Sequence, residues 1–194
     1  MNIVDTIITK EIKTMTKRYN NANEAYEAVL DEILQQGIDF GDTKAIFNCG
    51  FYIDNPSDKA ITNTERDWNK KYAAAEWAWY LSGDRSVEKL GNLYGKIPPI
   101  WKRMADKNGN VNSNYGWQWK RNGQLDEVVD MLRYNPSTRQ AAISIYDGKE
   151  WDRYICDTPC TYAVQFSIIN NKLCMSVYMR SNDIWYGFCN DQYQ

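Results

Sequence analysis

Residues 162–180 read Tyr162-Ala163-Val164-Gln165-Phe166-Ser167-Ile168-Ile169-Asn170-Asn171-Lys172-Leu173-Cys174-Met175-Ser176-Val177-Tyr178-Met179-Arg180. Tyr162, Val164, Phe166 and Ile168 recur at every second position, as do Leu173, Met175, Val177 and Met179. That period belongs to strands with one face on a core. Asn170-Asn171 supplies the turn between them, so the stretch predicts a long hairpin. Ala141 to Tyr146 reads as another strand, and Ala45-Ile46-Phe47 and Gly50-Phe51-Tyr52-Ile53 as shorter pieces. Upstream the period changes. Tyr26, Val29, Leu30, Ile33 and Leu34 mark a helix from about Ala22 to Gln36, with Gly37 where a C-terminal cap belongs. A second helix starts near Thr64, with Asp67 in capping-box-like spacing, and ends before Gly83. Pro98-Pro99 opens a short helix, and Leu125 to Tyr134 forms another, stopped by Asn135-Pro136. Helices first and hairpin-paired strands later, with no repeated βαβ unit, give an α+β fold.

The chain has 194 residues, enough to bury a core as a single domain over 1–194, with residues 1–20 as an N-terminal extension that is either a helix or a short interaction segment. With 43% hydrophobic and 25% charged residues and a net charge of -2, it reads as a globular protein without the field that recruits nucleic acid or anionic lipid. No apolar run reaches the roughly 18 residues of a membrane span, and Met1-Asn2 does not open a signal peptide. The expectation is a cytoplasmic protein. Histidine is absent, which excludes every Ser-His or Cys-His pair and every His-ligated metal. The five cysteines lack a C-x2-C pair, so free thiols are expected and no metal. Cys49 and Cys174 read as small buried apolar residues.

Three groups of residues bear chemistry. Pro159-Cys160-Thr161 stands just before a strand, and arginine would have to sustain its thiolate in a chain without histidine. Arg139, in Asn135-Pro136-Ser137-Thr138-Arg139, and Arg180-Ser181 offer the guanidinium forks and hydroxyls that a phosphate monoester needs, or else form ordinary surface charge. Gly187-Phe188-Cys189-Asn190-Asp191 places a polar pair after a glycine turn, and Asp191 otherwise caps a helix beginning near Gln192. Glu76 also falls on the apolar face of Trp68, Tyr72, Ala75, Trp79 and Tyr80. A carboxylate there is either bonded to a neighbouring ring or a functional group.

The ordered series Glu76 to Asp84, Ile100-Trp101, Asn114-Tyr115-Gly116-Trp117-Gln118-Trp119, Pro159-Cys160-Thr161, Gln165-Phe166 and Arg180-Ser181-Asn182-Asp183 resembles the thymidylate synthase family over roughly Ala22 to Gln194. Asn112 to Trp117, and Met179 through Asp183 and Gly187-Phe188 to Asn190-Asp191, look nearer to its phage deoxycytidylate hydroxymethylase branch. The resemblance implies a homodimer that converts dCMP to 5-hydroxymethyl-dCMP with 5,10-methylenetetrahydrofolate, in the host bacterial cytoplasm of a phage. It implies Cys160 as the nucleophile at carbon 6 of the pyrimidine, Glu76 as organiser of water and protons, and Tyr115 as the hydroxyl serving the carbon 5 proton. Arg139, Arg180 and Ser181 would hold phosphate, with Gln165 and Asn190 at the nucleotide. Asp183 and Trp101 would line the folate site. Asp191 stands where synthases carry asparagine, and its carboxyl group can accept from the cytosine amine.

This sequence departs from the family pattern at several points. It has Gln140 where the family has a second arginine, Thr161 after the nucleophile where synthases have histidine, and Met104 where the signature has tryptophan. The C-terminal part of the family fold, a long helix and a final strand, is expected to be missing. A pyrimidine methylase acting on dUMP or dCMP, or an inactive homologue that binds nucleotide or a partner, are the alternative readings.

Overall fold

The computed structural model describes residues 17–149, 154 and 156–194; of the N-terminal extension expected over residues 1–20, residues 1–16 lie outside them and Lys17–Tyr19 form a paired strand instead. The chain divides into two compact units, one formed by residues up to Trp68 together with Ile184–Gln192, the other by Asn69–Asp183 with Tyr193–Gln194.

In the first unit, β1 (Lys17–Tyr19) pairs in parallel with β4 (Phe51–Ile53), and a two-residue turn at Gly41-Asp42 joins β2 (Ile38–Phe40) to β3 (Thr43–Ala45). Gly41 lies at φ 65, the left-handed conformation such turns require. The strand expected at Ala45–Phe47 is therefore displaced towards the N-terminus, because the turn fixes the register at Phe40 opposite Thr43. Helix α1 (Ala22–Gln36) starts where Asn21 accepts from the Glu24 N–H at 2.9 Å. Its Ala25 and Tyr26 meet Phe188 and Cys189 of α7 (Gly187–Tyr193) in one core, whereas Leu34, expected on the buried face, is 63% exposed.

The second unit holds the remaining elements. Helix α2 (Lys70–Ser82) begins later than expected: Asn69, not Thr64, caps it by accepting from the Tyr72 N–H, and Asp67 stands in the left-handed region at φ 45. Gly83 ends it at φ 66. Helices α3 (Val87–Tyr94), α4 (Pro99–Met104), α5 (Tyr115–Lys120) and α6 (Gln124–Tyr134) follow. Strands β5 (Ala142–Ser144), β6 (Thr161–Ile169) and β7 (Lys172–Met179) form an antiparallel sheet in that order. Asn170 and Asn171, at φ 51 and 59, make the tight turn predicted from sequence. Val164 and Phe166 are buried, but the residues opposite them, Val177 and Met175, are 44% and 53% exposed, so the alternating apolar face meets a core on the β6 side and not on β7 as expected. Val128 of α6 packs with Ile143, Val164 and Phe166. A second cluster joins Trp79 and Tyr80 of α2 to Leu90 and Val111.

All five cysteines are free, but their burial reverses the expectation: Cys49 is exposed, Cys174 half-buried, and Cys189 is the one enclosed in a core. Among the described residues, no helix is long and apolar enough to cross a membrane, and no group of three or more histidine, cysteine or acidic side chains is placed to hold a metal.

Candidate active site

The register of the β6–β7 hairpin brings Cys160 to Arg180. Thr161 pairs with Met179, so the residues just beyond that pair face each other, and the Arg180 N–H donates to the Cys160 carbonyl at 2.9 Å. The half-buried Cys160 sulfur lies 3.7 Å from Arg180 Nη2 and 3.9 Å from Ser181 Oγ. The guanidinium is pinned to the loop carrying the cysteine. Its Nε donates to Pro159 O at 3.3 Å, Nη2 to Thr158 O at 3.0 Å and Nη1 to Ser181 Oγ at 3.0 Å. A fixed positive charge thus stands beside the sulfur.

Tyr115 holds the other side of this loop. Its phenolic oxygen accepts the backbone N–H of Cys160 at 2.9 Å and of Thr161 at 3.1 Å. The tyrosine is the first residue of α5, whose cap Asn114 accepts from the Trp117 N–H while its amide donates to Trp79 O and Asp84 O at 3.2 and 2.9 Å. Gly116 permits the approach of α5 to α2, because a Cβ there would stand 1.6 Å from Tyr80 O. The Tyr115 ring meets Tyr80 edge-on, with centroids 5.6 Å apart.

Four residues before Tyr80 on the same face of α2, Glu76 is 4% exposed. That spacing separates the two side chains by about 6 Å along the helix axis. Glu76 Oε1 accepts from Tyr72 Oη at 2.6 Å and Trp101 Nε1 at 3.2 Å, and Oε2 accepts from Gln194 Nε2 at 2.7 Å. Burial raises the Glu76 carboxyl above its ordinary range, and these three hydrogen bonds pull in the opposite direction. Burial also raises Tyr72, reinforced by the Glu76 charge and hydrogen bond. Trp101 is partly exposed, donates to Tyr72 Oη at 2.6 Å as well, and meets Trp79 edge-on at 5.3 Å.

The structure therefore gathers Cys160, Arg180, Ser181 and Tyr115 in one cluster at the ends of β6 and β7 and the start of α5, and Glu76 with Trp101 in another between α2 and α4. Arg139 is exposed, and its carbonyl accepts from Gln165 Nε2 at 3.3 Å. Asp183 is exposed. Asn190 and Asp191 belong to the first unit, where Asn190 Oδ1 accepts from Trp68 Nε1 at 3.0 Å. Asp191 lies inside α7, so it does not cap a helix starting at Gln192.

Sequence reading did not single out Tyr72, Gln194 or Asp157 as site residues. Tyr72 carried a usable signal, since it precedes Glu76 by one helical turn. Gln194 and Asp157 reach their partners across 118 and 44 residues, respectively, and no local pattern announces them.

The thymidylate synthase family model matches residues 24–194. The thymidylate synthase of Wigglesworthia glossinidia brevipalpis is 36% identical over 122 residues, covering 58% of this chain and 44% of that protein. The deoxycytidylate 5-hydroxymethyltransferase of Enterobacteria phage T4 is also 36% identical, over 131 residues, covering 63% of this chain and 52% of the relative. This chain thus spans about half the length of these curated relatives. Thermostable thymidylate synthase A from Bacillus subtilis superposes with a TM-score of 0.64 at 25% identity, over 89% of this chain and 70% of that one. Thymidylate synthase from T4 phage gives 0.51 at 26% identity, over 63% and 48%. With the ordered motifs, the α+β architecture and a family match across most of its length, the chain belongs to the thymidylate synthase family.

Proposed function

We propose that the protein transfers a one-carbon unit to carbon 5 of a pyrimidine nucleotide, with dCMP as substrate and 5-hydroxymethyl-dCMP as product. The observation that carries this reading is the Cys160 sulfur set beside a pinned guanidinium in a chain that has no histidine to activate it. In this reaction Sγ bonds to carbon 6 and leaves again at the end, which makes carbon 5 nucleophilic in between. Arg180 supplies the counter-charge to the thiolate. Three loop oxygens and the sulfur engage its N–H groups, leaving at most one for an anion, so its first service is to the nucleophile. Ser181 and Arg139 then carry more of the phosphate, with Gln165 and Asn190 at the nucleotide.

Two N–H donors on the Tyr115 oxygen stabilise negative charge there, which suits a group that handles the carbon 5 proton. Glu76, whose protonated form burial favours, manages water and protons beside the ring. Methylenetetrahydrofolate, when bound, supplies the one-carbon unit. The exposed Asp183 and the partly exposed Trp101 both keep surface for such a ligand and would hold it. Asp191 supports dCMP over dUMP, because a carboxyl group accepts from the exocyclic amine of cytosine. Pairing as a homodimer completes this reading.

The equal 36% identity to a thymidylate synthase supports a second reading, a pyrimidine methylase that needs hydride where the hydroxymethylase uses water. Product analysis tests both. Purified protein is incubated with methylenetetrahydrofolate and either dCMP or dUMP, with Cys160→Ala as control, and products are identified by mass spectrometry. Hydroxymethylated dCMP that vanishes in the control is expected. Methylated product moves the reading to the methylase, and no turnover by folded protein overturns both in favour of a binding homologue.

A further inference from the structure

Asp157 stands three residues before Cys160, is 1% exposed, and has no part in the chemistry above. Its carboxylate is fully engaged by a distant turn. Oδ2 accepts the backbone N–H groups of Asn112 and Ser113, each at 2.6 Å, and Oδ1 accepts the Ser113 hydroxyl at 2.6 Å. Its own carbonyl accepts from Asn112 Nδ2 at 2.9 Å. Asn112 links this turn to Arg85, because its Oδ1 accepts from Arg85 Nη2 at 2.8 Å. Arg85 Nε also donates to Val111 O at 2.8 Å, and the guanidinium lies 4.5 Å above the Trp117 ring. Hydrogen bonds to a carboxylate are shorter and stronger than neutral ones, and inside a protein they hold geometry tightly.

The turn held by Asp157 is continuous with Asn114, the α5 cap, and with Tyr115, whose oxygen holds the Cys160 and Thr161 amides. Segments 112–115 and 157–161 are thus tied twice, first by Asp157 on Asn112 and Ser113, then by Tyr115 on Cys160. Only Thr158 and Pro159 separate the two ties on the cysteine side. Both of their carbonyls receive Arg180 N–H groups, so a shift at Asp157 propagates to the guanidinium as well as to the sulfur.

We propose that Asp157 is a positioning residue for Cys160: by fixing the Asn112-Ser113 turn it sets the Cys160 sulfur against the Arg180 guanidinium. The inference deepens the reading of Cys160 as nucleophile and rests on it for its catalytic meaning, but its geometry can be probed without nucleotide. The probe is iodoacetamide, with the alkylation rate of each cysteine read by peptide mass spectrometry in the wild type, Asp157→Asn and Ser113→Ala. The exposed Cys49 serves as reference, and circular dichroism with a thermal melt reports an intact fold, because Cys189 lies in the other compact unit.

Since small misplacements of a reacting group cost up to roughly 100-fold in rate, alkylation of Cys160 is expected to fall about tenfold in Asp157→Asn and about threefold in Ser113→Ala, with Cys49 unchanged. In turnover, kcat should fall while KM stays near its wild-type value. A Cys160 rate unchanged or increased in the folded variants overturns the proposal. Should the melt show Asp157→Asn unfolded, the milder Ser113→Ala, which keeps the carboxylate and its two backbone bonds, decides by the same criterion. Failure of the nucleophile reading shows up separately, as turnover that survives Cys160→Ala.

Discussion

Tyr115 and Cys160 are joined through the backbone of the cysteine: the phenolic oxygen accepts the Cys160 N–H at 2.9 Å and the next N–H, of Thr161, at 3.1 Å. One side chain at the start of a helix therefore fixes the entry of a strand 45 residues away. Replacing Tyr115 with phenylalanine keeps the ring against Tyr80 but leaves both amides without this acceptor. Thr161 is 7% exposed, so water does little to compensate. The loss of stability should be about 1–3 kcal/mol by urea unfolding, with turnover reduced on the order of 100-fold. Wild-type values for both in Tyr115→Phe would remove Tyr115 from the account.

Glu76 makes stability depend on pH in a defined sense. Burial is the largest cause of its rise above the ordinary 4.5, so the folded protein binds a proton where the unfolded chain does not. The stability this contributes is full below about 4.5 and is lost as pH rises through the raised folded value. Glu76→Gln should abolish that slope, so melts across pH show the variant gaining relative to the wild type towards alkaline pH. The Gln194 amide can turn its oxygen to the new donor. A variant whose melting temperature tracks the wild type at every pH would show that Glu76 does not titrate as argued.

Gly116 is constrained by space. An added methyl group would sit 1.6 Å from Tyr80 O and 2.5 Å from its carbonyl carbon, both backbone atoms that cannot swing aside. Gly116→Ala should push α5 off α2, costing about 3 kcal/mol by denaturant unfolding and displacing Tyr115 with it. A fall below about 1 kcal/mol would mean the helices separate easily.

The choice of base is proposed to reside in Asp191. Asp191→Asn replaces an acceptor pair with an amide that can both donate and accept, so preference should move from dCMP to dUMP. The ratio of kcat/KM values for the two nucleotides is expected to change on the order of 100-fold or more, as for sites built to hydrogen-bond a polar group. An unchanged ratio would place base recognition elsewhere.

The parts legible in sequence were those written in local pattern. The 162–180 hairpin declares itself by alternation and by Asn170-Asn171, and α1 by its apolar spacing and cap. Glu76 was visible because a carboxylate on an apolar helix face needs a reason. What escaped depended on partners far along the chain. Asn69 displaces Thr64 as the α2 start because its side chain captures the Tyr72 N–H and Asp67 leaves helical geometry. Cys189 rather than Cys49 or Cys174 is buried because α7 packs Phe188 and Cys189 against α1. Asp157 resembles any loop aspartate until the Asn112-Ser113 turn comes into contact with it. For Arg180 the resemblance implies phosphate, whereas the loop carbonyls and the Cys160 sulfur engage donors that this role would need.

The most direct test of one-carbon chemistry at Cys160 is release of tritium from carbon 5 of labelled dCMP, because both the hydroxymethylase and the methylase reading require that proton to leave. Wild-type protein should liberate tritium into water only when methylenetetrahydrofolate is present, and Cys160→Ala should liberate none. Folded wild-type protein that releases no tritium from dCMP or dUMP with the folate present, or a Cys160→Ala variant that releases it at the wild-type rate, would contradict the account.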